Sequence, residues 1–111
     1  MIELIIKKHL DKHLSVPCFF EHRTDNYNRY VILEKTGGTK KNHVCSATFA
    51  FQSYAESMYE AATLNEEVKI VVEQLEELQE VSGVHLNADY NFTDTQTKKY
   101  RYQAVFDINY Y

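Results

Sequence analysis

Apolar positions repeat with two different periods along the chain, and the switches between them outline its elements. Ile2, Ile5, Ile6 and Leu10 fall on one side of a helix running from Ile2 to Leu14, with Lys7, Lys8, Asp11 and Lys12 opposite. Ser15 and Pro17 end it, because proline cannot continue the hydrogen-bond ladder and restricts the residue before it. The apolar run Val16 to Phe20 admits a short edge strand, and the stretch from His22 to Asn28 is polar and turn-prone.

Arg29 to Thr36 then reads as a strand, Gly37-Gly38 as a hairpin turn, and Lys40-Lys41-Asn42 as an extension of that loop. From His43 to Tyr54 the period is two: Cys45, Ala47, Phe49 and Phe51 share one face, and Val44, Ser46, Thr48 and Gln52 the other. The period returns to that of a helix between about Ala55 and Gln79, where Ala61, Leu64, Val68, Val71, Leu75 and Leu78 form an apolar stripe. Thr63-Leu64-Asn65-Glu66 fits a capping box, so this stretch is either one bent helix or two short ones meeting at Thr63.

Two alternating segments close the chain. Val84, Leu86, Ala88, Tyr90 and Phe92 alternate with polar residues, and after a turn at Thr93 to Lys99 so do Tyr100, Tyr102, Ala104, Phe106, Ile108 and Tyr110. The expected fold is α+β, in the order helix, hairpin, helix, hairpin. Two main helices pack on one face of an antiparallel sheet of four or five strands, with the aromatics of the last hairpin on its inner face.

Composition bounds what such a domain does. With 111 residues, 44% of them hydrophobic and 25% charged, the chain is one globular domain able to bury a core. Twelve basic and sixteen acidic residues leave a net charge of −4, which disfavours a dedicated nucleic-acid binder. Its apolar runs are too short for a bilayer span and Met1-Ile2-Glu3-Leu4 lacks a signal pattern, so neither secretion nor a membrane is expected. Cys18 and Cys45 are too few for a disulfide framework or a cysteine-rich zinc site, and read as reduced, buried residues of a cytoplasmic protein.

Candidate chemistry is sparse. His9 and His13 have the spacing that lets two imidazoles share a metal, but Leu10 stands where a zinc protease carries glutamate, and both fall within the apolar stripe. Thr36-Gly37-Gly38-Thr39-Lys40 lacks the spacer and ending of a phosphate-binding loop. No Ser–His–Asp or Cys–His arrangement is legible, so no catalytic residue, metal or cofactor is expected. Charge is more suggestive. Glu73, Glu76, Glu77 and Glu80 gather near the end of the second helix, where the helix dipole disfavours them. Lys40 and Lys41 tip one hairpin, while Lys98, Lys99 and Arg101 tip or flank the other. Acidic and basic patches on one small domain suit head-to-tail association.

The strand Ala47-Thr48-Phe49-Ala50-Phe51-Gln52-Ser53-Tyr54 runs into Ala55-Glu56-Ser57, Glu60-Ala61-Ala62, Leu64, Val68 and Leu75. The chain closes with Arg101-Tyr102-Gln103-Ala104-Val105-Phe106-Asp107-Ile108-Asn109-Tyr110. This pattern resembles the tail-terminator (tail-completion, or tail-to-head joining) proteins of long-tailed bacteriophages and prophages, most clearly from Val44 onward. The resemblance implies a virion structural protein, not an enzyme: a homo-hexameric ring that caps the tail tube, stops its polymerisation and joins tail to head. It also implies as partners further copies of the chain, the major tail tube protein and a head-completion or connector protein. DNA would pass through the ring without specific binding. The location implied is the head–tail junction of the virion, and the host cytoplasm during assembly. A head-completion, connector or minor capsid role is the alternative within the same class, and a small nucleic-acid-binding module the alternative outside it.

Overall fold

The computed structural model describes residues 1–21, 27–41, 44–94, 96 and 99–111. Its elements are helix α1 (Ile2–His13), strands β1 (Cys18–Phe19), β2 (Tyr30–Lys41) and β3 (Val44–Ala55), helix α2 (Met58–Glu73) continued by a 3-10 turn (Gln74–Glu77), and strands β4 (Val81–Asn91) and β5 (Tyr100–Tyr110). The five strands form one sheet in the order β1-β2-β3-β5-β4.

Both helices are placed by their apolar stripes. Ile2, Ile6 and Leu10 of α1 and Ala61, Leu64, Val68, Val71 and Val72 of α2 are buried. They meet Val31 and Leu33 of β2, Ala47, Phe49 and Phe51 of β3, and Ala104, Phe106 and Ile108 of β5 in a single core. Phe51 and Phe106 pack edge to face at its centre, with ring centroids 5.8 Å apart. Each fully buried side chain of this size contributes about 1.5–3 kcal/mol.

Helix α2 starts at Ser57, whose hydroxyl accepts the Glu60 amide at 3.1 Å. Thr63 is no cap: it lies inside the helix and its hydroxyl donates to the Tyr59 carbonyl at 2.9 Å. The stripe is therefore carried by one α-helix that tightens into the 3-10 turn, where Leu75 completes the buried row.

Polar ties fix the helices. Ser15, just past α1, donates from its amide and its hydroxyl to the Glu67 carboxylate, at 2.9 and 3.0 Å. Asp89 of β4 accepts from the Asn65 amide at 2.8 Å and from Lys69 at 2.5 Å. Lys69 also pairs with Glu66 at 2.8 Å. The bonds to Asp89, and then to Glu66, raise the Lys69 pKa.

Three expectations are corrected. The sheet is mixed and not antiparallel: β1 pairs in parallel with β2, Cys18 beside Val31 and Phe19 beside Ile32. Ten residues, 20–29, separate the two strands, more than a tight hairpin uses, and β2 runs in the same direction as β1.

Second, Gly37 and Gly38 are not a turn. They lie within β2, paired with Thr48 and Ala47, and neither adopts the left-handed backbone that a tight glycine turn uses. They mark a bulge between Lys35 and Gly37 instead.

Third, a bulge between Leu86 and Ala88 shifts the second half of β4 by one residue. Asp89 therefore faces α2, while Tyr90 and Phe92 stand on the face of the sheet away from the helices, each 41% exposed.

Candidate subunit interface

The cross-strand register locates every candidate charge. Lys40 pairs with Cys45, Cys45 with Tyr110, and Tyr110 with Val81, so these four residues form one row across the sheet from β2 to β4. Glu80 immediately precedes that row, and its carbonyl accepts the Tyr111 amide at 3.1 Å. Glu73 ends α2, and Glu76 and Glu77 lie in the 3-10 turn; all four glutamates are exposed. Glu76 is tied to β4, accepting the Val84 amide at 3.2 Å. Glu76 and Glu80 thus border β4, Glu77 lies within electrostatic reach of His9, and Glu80 lines a cavity with Lys8, Lys12 and His13 of α1. Exposed Lys40 stands on β2, three strand spacings or roughly 15 Å from β4 at the same end of the sheet. The Lys41 side chain and Lys98 lie outside the described residues, as do His22 and His43.

The other basic group lies far from this row. Arg101 pairs with Tyr54, and Tyr54 with Tyr30, at the opposite end of β5. At about 3.3 Å per residue that is roughly 30 Å from Tyr110. Lys99 is exposed and its backbone bridges to Asp94.

Arg101 itself is held within the chain. Its guanidinium sits 4.3 Å from the Phe92 ring centroid, Nε donates to the Phe92 carbonyl at 2.5 Å, and Nη1 donates to the Tyr54 hydroxyl at 2.8 Å.

From Arg101 a directional chain of hydrogen bonds crosses the helix-free face. The Tyr54 hydroxyl donates to Gln52 Oε1 at 3.3 Å, the Gln52 amide to Gln103 Oε1 at 2.9 Å, and the Gln103 amide to the Tyr90 hydroxyl at 2.5 Å. Tyr30 stacks on Tyr54 at 4.8 Å and 8°, with Phe19 beyond it at 6.4 Å. Burial, with Tyr54 alongside, pushes the Tyr30 hydroxyl above the usual tyrosine range against the opposing effect of Arg101. Sequence reading missed this relay. Its only visible signal is a glutamine on each of the two strands, Gln52 and Gln103.

Among the described residues no group of three or more His, Cys, Asp or Glu is placed to hold an ion. His9 Nε2 donates to the Val71 carbonyl at 2.8 Å, and the His13 ring packs against it at 4.5 Å. Burial lowers the His9 pKa, partly opposed by the bond to Val71. Burial pushes the Cys18 thiol up to about 12, so at neutral pH it is protonated and unreactive. No helix among the described residues is long and apolar enough to cross a membrane. No family model matches the chain, and no curated protein matches it.

Proposed function

We propose that this chain is a ring-forming virion assembly subunit of the tail-terminator kind. It closes into a homo-hexameric ring in solution, and the ring caps the end of a tail tube, arrests tube growth and presents a surface to the head-completion or connector protein. The observation that carries the reading is the division of charge between the two sides of one domain. Glu76 and Glu80 border β4, and exposed Lys40 stands on β2 at the same end of the sheet. Such a surface complements a second copy of itself in a head-to-tail sense, the arrangement that generates rings. The resemblance of the stretch from Val44 to Tyr110 to tail terminators supplies the tail tube as the template.

The direct test adds the purified protein to growing tail tubes that lack their own terminator. Tubes that stop lengthening and carry a ring at one end in negative-stain images support the reading. Tubes that grow at an unchanged rate, with bare ends, overturn it.

A second reading draws on the helix-free face. Tyr90 and Phe92 are exposed there beside Arg101, an arrangement that could stack the bases of a single strand. It is the weaker reading, because Arg101 is committed to Tyr54 and Phe92 and the net charge is −4. An oligonucleotide shift at low salt, steeply lost as salt rises, would favour it.

A further inference from the structure

Lys35 and Lys40 are five residues apart, a spacing that puts side chains on opposite faces of an unbroken strand. The bulge between Lys35 and Gly37 absorbs one residue and brings both to the same face. Lys35 pairs with Phe49 and Lys40 with Cys45, so both stand on the face that carries the core and the helices.

Between them lies Gly38, over which the Lys35 side chain passes: a Cβ there would sit 3.3 Å from Lys35 Cε and 3.3 Å from the Ser46 carbonyl oxygen. The result is an open groove of about 530 Å³, floored by the glycines with Cys45 and Tyr110 and flanked by the two lysines. Both lysines are exposed, and no ion pair with a described residue reaches either. The outer edge of β2 is paired only at Val31 and Ile32, leaving the strand beside the groove open among the described residues.

We infer that this glycine-floored groove on β2 receives the acidic segment from Glu73 to Glu80 of a second copy of the chain. The inference rests on the ring reading above and identifies the surfaces that close the ring. Charge complementarity selects the occupant. Glu73, Glu77 and Glu80 are exposed and form no ion pair with a described residue. Glu80 directly precedes Val81 of β4, at the level of Lys40 across the row through Cys45 and Tyr110, while Glu77 lies within electrostatic reach of His9 and Glu80 lines a cavity with Lys8 and Lys12. Donor and acceptor surfaces thus occupy opposite edges of one sheet at one height, so one rotation repeated brings each acidic segment onto the next groove. The missing side chain at Gly38 lets the Lys35 chain lie across the groove floor, with its ammonium 3.7 Å from where a Cβ would stand. Lys99 and Arg101, roughly 30 Å along β5, take no part.

A charge swap tests this. Lys35→Glu with Lys40→Glu makes one variant, and Glu73→Lys with Glu77→Lys and Glu80→Lys the other; Glu76 is spared because it anchors Val84. Each variant alone is expected to associate at least about tenfold more weakly than wild type, and an equimolar mixture to regain the wild-type mass. Lys99→Glu is expected to assemble normally. Wild-type association should also weaken as salt rises, a readout that needs no variant. Variants that assemble like wild type, a mixture that stays dissociated, or salt-insensitive assembly would overturn the groove as the contact while leaving the ring reading intact. Wild-type protein that forms no ring overturns the ring reading, and the groove with it.

Discussion

Arg101 and Tyr54, on neighbouring strands and 47 positions apart in sequence, are joined by a 2.8 Å hydrogen bond from Nη1 to the phenolic oxygen. The bond matters because it engages within the chain a cation that the sequence offers for partner binding. Phe92 completes the clamp from the other side.

Arg101→Ala is therefore expected to act on stability and not on assembly. Loss of the charged hydrogen bonds and the ring contact should cost about 1–2 kcal/mol. Urea unfolding measures the loss, and light scattering should return the wild-type mass. Arg101→Lys should recover only part of it, since an ammonium cannot hold Tyr54 and the Phe92 carbonyl in one planar fork.

Ser57 and Thr63 separate under the same substitution. Ser57→Ala removes the cap of α2 and should destabilise by about 1 kcal/mol. Thr63→Ala removes only a bond to the preceding turn and should change stability by under about 0.5 kcal/mol. Thermal unfolding of the pair tells which residue begins the helix; equal losses would contradict the single-helix geometry.

Much of this architecture was legible and some was not, for identifiable reasons. The stripes of α1 and α2 and the alternation of β5 are long enough for their period to override local ambiguity. Gly37-Gly38 reads as a turn in the sequence because glycine serves turns and bulges alike, and only the pairing of β2 with β3 decides between them. The slip at Asn87 is equally silent in sequence, yet it moves Tyr90 and Phe92 to the opposite face from Val84. The parallel pairing of β1 depends on where a connection returns, which no local pattern encodes. The charged candidates were visible as residues, but their grouping was not. Lys40 lies level with Glu80 and Arg101 is bound internally through strand pairings remote in sequence.

The pH dependence of stability should carry a contribution from His9. Its pKa is lowered from 6.5 in the folded chain, chiefly by burial, so below that value the unfolded chain binds more protons than the folded one. Stability is then complete above about pH 6.5 and falls as pH decreases through that range. His9→Gln, which keeps a donor for the Val71 carbonyl, should flatten the curve of unfolding free energy between about pH 7 and 5. An unchanged slope would exclude His9 as its source.

Thiol accessibility should divide the two cysteines. Cys18 is 2% exposed with its pKa pushed up to about 12, whereas Cys45 is only half-buried. At neutral pH an alkylating reagent is expected to modify Cys45 first and to reach Cys18 only when the chain unfolds. Mass spectrometry of the labelled peptides reads this, and rapid labelling of Cys18 in the native protein would contradict the packing of β1 against the core.

Core packing around Phe106 sets the tolerance of the fold. Phe106→Ala removes the ring that meets Phe51 at 82° and should cost about 3–5 kcal/mol, a large part of the stability of a domain this size. The variant should unfold at markedly lower urea than wild type; a shift under about 1 kcal/mol would contradict the packing of that ring pair.

The central claim is closed self-association, and absolute mass in solution tests it most directly. Light scattering behind a sizing column, at low ionic strength and over a wide concentration range, should find one species near six times 13.1 kDa that grows no further as concentration rises. A monomer at every concentration, or open-ended growth without a limiting mass, would contradict the ring.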